Sequence, residues 1–558
     1  MSKIILFSVC LFSSLLAPAQ DFQWLRPLEV SKMVVADNGD IYLLDRFNFS
    51  RDVDPSANEW ILTGGNLTPY IAKFDSDWNL AWAYVLKDVG VTDIKTSGDK
   101  LVICGTTSEG AKINSKFNDY TLEDNHWFAA QFNSNGNCTR IINTHRQDAT
   151  MESGIVHGGN LVITGRLFGE VDFDMDPNDE YLKTSYGDKS GYIASYSNLT
   201  KPDWVMVFQD YGTSEVQPIK MIQDDGELIL WGKYTGQVDF EPNGQSVLGE
   251  DTIPNTQPYF VARFNAIGEL IWVNSFVAES DVYPSDFQYD QSGGVYLTGI
   301  FQDRLLLGTD DVLLEGAAGF DSDFIIRFDQ FGDIDWYYAL SNSMDCKQPS
   351  VVLAPEGNSI WWVGSVHGSI DLDPTAGQYE VQTNPNPNAQ SLLTHLSAAF
   401  ITEIDQSGSI EKINYFNTET EVYFMTMMAH PNQDYYLLYG GSSNRNFDHD
   451  FGLAEYFDPT LTRSYIAKYD GVRIPEALST AELDDEDFHV FPNPSSSIFF
   501  VNDHESIRSL FVRDVAGRSV PFSFSNGKIS LTKGMAGIYF LQMETKQGIK
   551  TKKVIFTP

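Results

Sequence analysis

Val295-Tyr-Leu-Thr-Gly299, then Phe324-Ile-Ile-Arg-Phe-Asp329, then Asp335-Trp336: these three short segments decide the fold, because they recur along the chain in the same order. The first is an apolar strand closed by glycine, with counterparts at Ile41-Tyr-Leu-Leu-Asp45, Leu101-Val-Ile-Cys-Gly105, Leu161-Val-Ile-Thr-Gly165, Leu228-Ile-Leu-Trp-Gly232, Ile360-Trp-Trp-Val-Gly364 and Tyr436-Leu-Leu-Tyr-Gly440. The second is an alternating aromatic strand that runs into a turn. It returns at Tyr70-Ile-Ala-Lys-Phe-Asp75, Trp127-Phe-Ala-Ala-Gln-Phe-Asn133, Tyr192-Ile-Ala-Ser-Tyr196, Tyr259-Phe-Val-Ala-Arg-Phe-Asn265, Phe400-Ile-Thr-Glu-Ile-Asp405 and Tyr465-Ile-Ala-Lys-Tyr-Asp470. Each element has seven copies, and its short period marks strands rather than helices.

The third segment returns as Leu80-Ala-Trp82, Arg140-Ile-Ile142, Asp203-Trp204, Ile271-Trp272 and Glu411-Lys-Ile413, which makes six copies. The missing seventh has a counterpart at the other end of the chain, where Phe22-Gln23-Trp24 precedes the first repeat. A strand before each glycine strand, such as Ser31-Lys-Met-Val-Val35 or Pro218-Ile-Lys-Met-Ile222, supplies the fourth member of each sheet. The expectation is an all-β chain: a seven-bladed β-propeller over 21–474 whose N-terminal strand closes the last blade. The repeats exceed the roughly 40–50 residues of compact propeller units. The surplus falls between the glycine and aromatic strands and is longest from Thr375 to Ser397, an Asn- and Pro-rich stretch read as a surface loop. Binding residues are expected on such loops.

Residues 1–20 have the form of a secretory signal, with Lys3, an apolar run from Ile4 to Leu16, and Ala17-Pro18-Ala19-Gln20 at the exit. That run is too short for a bilayer span of roughly 20 residues, so an exported chain without a membrane span is expected. A formal charge of −39 disfavours nucleic acid and anionic lipid as partners. After removal of Cys10 with the signal, Cys104, Cys138 and Cys346 remain, too few for a disulfide framework, and a bridge between Cys104 and Cys138 stays open. Glu476, Glu482, Asp484, Asp485, Glu486 and Asp487 mark 475–487 as an exposed linker. Beyond it, 488–558 opens on Phe491-Pro-Asn-Pro494 and continues in short strands at Ile498-Phe-Phe-Val501, Leu510-Phe-Val-Arg-Asp514, Lys528-Ile-Ser-Leu531, Gly537-Ile-Tyr-Phe-Leu541 and Lys552-Lys-Val-Ile-Phe556. This pattern predicts a small C-terminal β-sandwich.

Two resemblances follow from these residues. The repeats resemble the tandem β-propeller repeats of exported bacterial proteins in their "DFDP"-like turns at Val171-Asp-Phe-Asp174, Val238-Asp-Phe-Glu-Pro242 and Ile370-Asp-Leu-Asp-Pro374 and in their seven aromatic strands. That likeness implies a fold and leaves activity open. The C-terminal module resembles the type A sorting domain of type IX secretion cargo in four ordered elements: Pro492 to Pro494, Leu510 to Val520, Ile529 to Leu541, and Lys550 to Phe556. It implies recognition of 488–558 by the type IX secretion machinery and delivery to the cell surface or the extracellular space.

Chemistry is less legible. Asp172, Asp174, Asp176 and Asp179 alternate as oxygen ligands would and form a candidate calcium loop, although Pro177 and Lys183 stand where an EF-hand requires glycine and glutamate. Hydrated turn-capping carboxylates explain the same residues. No zinc motif joins the histidines, and Gly364-Ser-Val-His-Gly368 has its serine misplaced for a nucleophile elbow. The expected role is a monomeric binding scaffold for a glycan or protein ligand, with no catalytic residue assigned. The alternative is an extracellular hydrolase or lyase with its site at one mouth of the propeller channel.

Overall fold

The computed structural model describes residues 22–27, 31–441 and 464–469, interrupted in turns and loops of which the longest is 386–396, together with the strands and some turns of 490–556. The signal segment 1–20, the linker 475–487, Cys346, most of the Thr375–Ser397 loop and Pro492 to Pro494 lie outside the described residues. The fold is all-β. Among the described residues there is no helix, and hence none long and apolar enough to cross a membrane. The chain divides into two compact units, 1–477 and 478–558.

Unit one carries, among the described residues, seven four-stranded antiparallel units, each built as a first strand, a glycine strand, an aromatic strand and an outer strand; the first two are continuous in one eight-stranded sheet, and the fourth is extended to six strands by Arg304–Leu307 and Asp311–Glu315. The fifth is typical: Val282–Tyr289, Val295–Gln302, Asp321–Phe328 and Ile334–Ser341 pair in that order. The first and second sheets share one long strand, Leu80–Ser97, which is the outer strand of one and the first strand of the other. In the seventh, Val422–Ala429, Tyr435–Gly441 and Ser464–Tyr469 are completed by Phe22–Pro27, with Trp24 opposite Lys468 and Leu25 opposite Ala467. The end of the sheet series thus borrows its outer strand from the beginning of the chain.

The glycine strands are apolar at nearly every position because both faces are covered. Leu101 and Ile103 pack into a core shared with the first sheet, whereas Val102 and Cys104 pack into a core shared with the third. Leu228 and Leu230 face the third sheet in the same way, and Ile229 and Trp231 the fifth. Sheets therefore stack face to face, and these glycine strands contribute alternate side chains to two different cores.

The recurring glycine is explained by the first strand, which bulges beside it at Val91/Asp93, Pro218/Lys220 and Pro284/Asp286. A Cβ on Gly299 would lie 2.5 Å from the carbonyl oxygen of Tyr283 and 2.8 Å from the Phe324 ring. The recurring tryptophan is explained by the next sheet. Trp82, Trp272 and Trp336 each donate an indole N–H to a carbonyl in the neighbouring sheet's turn, to Ser134 at 3.2 Å, Gln330 at 3.1 Å and Gln406 at 3.1 Å. The turns beneath them use glycine at positive φ, as in Gly332 and Gly408, over which the Trp272 and Trp336 rings lie.

The surplus read as surface loop contains structure of its own. It folds into a second small hairpin in several units: Ser50–Asp52 with Ile61–Thr63, Glu170–Asp172 with Leu182–Thr184, Gln237–Asp239 with Leu248–Glu250, and Ser369–Asp371 with Glu380–Gln382.

Unit two has two sheets, one of Val490–Phe491, Ile498–Val501, Lys528–Leu531 and Phe522–Ser525, the other of Ser509–Asp514, Gly537–Thr545 and Gly548–Phe556. Both contribute to one core that includes Phe499, Ile529, Val512, Leu541 and Val554, the arrangement of a small sandwich.

Candidate functional site

The first strands bring together polar residues that are scattered in sequence. The position paired with the residue just before the recurring glycine is Lys32 in the first sheet, Asp93 in the second, Ser153 in the third, Lys220 in the fourth, Asp286 in the fifth and Ser350 in the sixth. The order Lys, Asp, Ser occurs twice. Each residue bonds to a neighbouring sheet. Lys32 Nζ donates to the Thr92 carbonyl at 2.5 Å and Lys220 Nζ to the Ser285 carbonyl at 2.7 Å. Ser153 Oγ donates to Asp93 Oδ2 and Ser350 Oγ to Asp286 Oδ2, both at 2.6 Å. Thr92 and Ser285 are the bulged residues, so the irregularity that demands glycine on one side turns a carbonyl toward lysine on the other. Ser153 Oγ also accepts the Met221 N–H at 3.2 Å, linking the third sheet to the fourth.

One turn further along the strands lies Lys95 of the second sheet. Its ammonium is 3.9 Å from Asp93 and 5.7 Å from the ring centroid of Phe287 in the fifth sheet, so side chains of non-adjacent sheets meet there. Burial lowers the pKa values of Lys95 and Lys32 from the ordinary lysine value; Asp93 opposes the shift in both, and Lys220 adds to it. A second layer joins Thr96 to the Val35 carbonyl at 3.0 Å, Gln223 to Ser97 at 2.7 Å, and His157 to Gln223 at 3.3 Å. Beside this belt of first-strand residues, Lys32, Asp93, Lys95, Ser153, Lys220, Asp286 and Ser350, Glu152 has its carboxyl raised by burial, with Arg166 at 3.7 Å and Gln217 at 3.4 Å opposing the shift.

The residues singled out from sequence have a different fate. Asp172, Asp174, Asp176 and Asp179 are strung along one turn. Asp172 Oδ1 accepts the N–H groups of Asp174 and Tyr181 at 2.9 and 2.8 Å, Asp174 Oδ1 that of Asp176 at 2.9 Å, and Asp176 Oδ1 that of Asn178 at 3.0 Å. Lys201 Nζ reaches Asp179 at 2.7 Å and Asp174 at 3.8 Å, and stands where a bound cation would. Asp52 and Asp371 cap their hairpins by the same bonds, each to the N–H two residues on and to one across the turn. Among the described residues no group of three or more His, Cys, Asp or Glu is arranged to hold a metal ion. His367 exchanges a hydrogen bond with Ser397 at 2.9 Å across its own sheet. Cys104 and Cys138 are buried free thiols, both raised by burial.

None of the belt residues stood out as a motif, since each strand contributes only one or two of them. A signal was present: they precede the strand-ending residue (Asp45, Gly105, Gly165, Gly232, Gly299 or Gly364) by twelve to fourteen positions in six successive repeats.

Residues 489–557 match the family model for a secretion system C-terminal sorting domain. This tail is a type IX sorting domain, and it marks the chain for export to the cell surface or the extracellular space. No curated protein matches the chain by sequence. Solved structures similar to it include an ACO/RPE65 chimera, 11% identical over 82% of this chain and 95% of that one, with a TM-score of 0.32. Another is an apocarotenoid oxygenase of Synechocystis, at 10%, 82%, 95% and 0.30 for the same measures. A third is PorZ, a surface component of the type IX secretion system of Porphyromonas gingivalis, 12% identical over 94% of this chain and 91% of that one, with a TM-score of 0.17.

Proposed function

We propose that residues 21–474 form a closed seven-bladed β-propeller that serves as an exported binding scaffold for a glycan or protein ligand. Closure is supported by the pairing of Phe22–Pro27 with Ser464–Tyr469 and by the strand Val422–Ala429, which approaches both Ser350–Leu353 and Lys32–Val35. The observation that carries the binding role is the hairpin of the first unit, where Phe49, Trp60, Ile61 and Leu67 are all exposed, Phe49 and Leu67 to 67% and 62%. Large apolar side chains grouped on one projecting hairpin are a feature of interaction surfaces. The test is a binding screen of the full chain against defined extracellular glycans and matrix proteins, repeated with Phe49→Ser and Trp60→Ser. Loss of a bound ligand in both variants supports the reading. Turnover of a substrate in the absence of any bound ligand would reject it.

The second reading, an extracellular hydrolase or lyase acting at one mouth of the channel, is favoured by Glu152, because a carboxyl raised by burial suits a general acid. Activity abolished by Glu152→Gln would support it. Calcium at Asp172, Asp174, Asp176 and Asp179 is a separate proposal, favoured by Asp174 Oδ2, a buried oxygen that accepts no hydrogen bond. If Lys201 competes for that place, Lys201→Met gains calcium affinity in a titration; no heat from either protein excludes the ion.

A further inference from the structure

We infer that the belt holds a carboxylate-bearing ligand at Lys95. Lys95 lies 3.9 Å from Asp93, Lys32 reaches the carbonyl of Thr92 beside Asp93, and Lys220 reaches the carbonyl of Ser285 beside Asp286, so three ammonium groups gather there around two carboxylates. The carboxylates are already engaged: Asp93 Oδ2 by Ser153, Asp286 Oδ2 by Ser350, and Asp286 Oδ1 by the Phe287 N–H at 3.0 Å. Lys32 and Lys220 donate to neutral carbonyls, so their hydrogen bonds are satisfied without a directly bonded anion. Among the described residues of the belt one positive charge is therefore in excess, three against two, with Glu152 beside it paired to Arg166, inside a protein of formal charge −39.

Lys95 is where that excess is most accessible. Its nearest anion is 3.9 Å away, beyond hydrogen-bond distance, and 16% of its side chain reaches solvent. A largely buried ammonium whose nearest anion stands beyond hydrogen-bond distance is only partly compensated, and a monoanion that supplied two oxygens would offset the remaining cost. A carboxylate meets the need: it carries one charge, is flat, and can accept from Lys95 beside the Phe287 ring. A dianion would overcompensate. The inference rests on contacts among Lys32, Lys95, Lys220, Asp93, Asp286 and Phe287, and stands whether or not the scaffold reading holds.

The probe is trifluoroacetate, observed by fluorine NMR in the presence of the full chain. The expected result is a broadened line that formate sharpens again, with at least a tenfold loss of affinity in Lys95→Met and no loss in Lys87→Met, an exposed lysine of the same strand. Broadening that persists unchanged in Lys95→Met, or that chloride reverses as well as formate does, would overturn the assignment. Should Lys95→Met fail to fold, the wild-type pH profile decides. The groups facing Lys95 are Asp93, Asp286, Lys32, Lys220 and Cys104, and burial lowers the lysine, so affinity must fall before pH reaches 10.5. Binding constant up to that pH would also overturn it.

Discussion

The belt on the first strands and the acidic turn at 172–179 contain similar residues and use them in opposite ways. In the turn, four carboxylates lie within eight positions and are engaged by backbone N–H groups one to nine residues away and by Lys201. In the belt, no two members from different sheets are closer in sequence than about sixty residues, and the hydrogen bonds of Lys32, Asp93, Lys220 and Asp286 join one sheet to another. Density of acidic residues in sequence here reports local capping; the long-range polar network is made of isolated residues that only the fold collects.

This contrast can be broken by substitution. The largest effect is expected in the belt: Asp93→Ala leaves Ser153, Lys95 and Lys32 without their anion, and Asp286→Ala does the same to Ser350. Asp93→Ala should cost about 3–5 kcal/mol, the scale for removing one partner of a buried charged pair, and Asp286→Ala about 1.5–3 kcal/mol, the scale for a hydrogen bond to a charged group, both read from urea unfolding of the full chain. If either costs no more than a turn substitution, the belt is not the tighter structure.

In the turn, Asp172→Ala removes an acceptor shared by the N–H groups of Asp174 and Tyr181 and should cost about 1–2 kcal/mol, whereas Asp172→Asn, which keeps an oxygen there, should cost well under half as much. Asp176→Ala, where the half-buried carboxylate accepts only from Asn178, should cost no more than about 0.5 kcal/mol. Equal losses for alanine and asparagine at Asp172 would mean that charge, and with it a bound cation, matters more than capping.

The smallest expected effect is a slope. Because burial lowers Lys95, the unfolded chain binds the extra proton between the folded value and 10.5, and the contribution of this residue to stability rises with pH across that window. The difference in unfolding midpoint between wild type and Lys95→Met should therefore grow in favour of the wild type as pH approaches 10.5. A flat difference would place Lys95 in water rather than among Asp93, Lys220 and Phe287.

How much of this was legible in the sequence follows from the same contrast. The glycine, aromatic and tryptophan segments were readable because each answers a steric demand repeated in every sheet: close approach of the bulge at Gly299, two covered faces around Leu101 to Cys104, an indole reaching the next turn at Trp272. The borrowed strand at Phe22 to Trp24 was readable by counting. The hairpins within the surplus were hidden because their strands are only about three residues long, too short for a period to register. The belt was hidden for another reason. Lys32, Asp93 and Ser153 hold equivalent positions yet differ in chemistry, since each is matched to its neighbour and not to its counterpart.

The central claim is that the first strands meet around a common axis. An experimental structure of the full chain tests it most directly through Lys95 and Phe287. The account predicts the Lys95 ammonium over the Phe287 ring, with Phe22–Pro27 beside Ser464–Tyr469; an extended array with Lys95 and Phe287 several strand widths apart would contradict it.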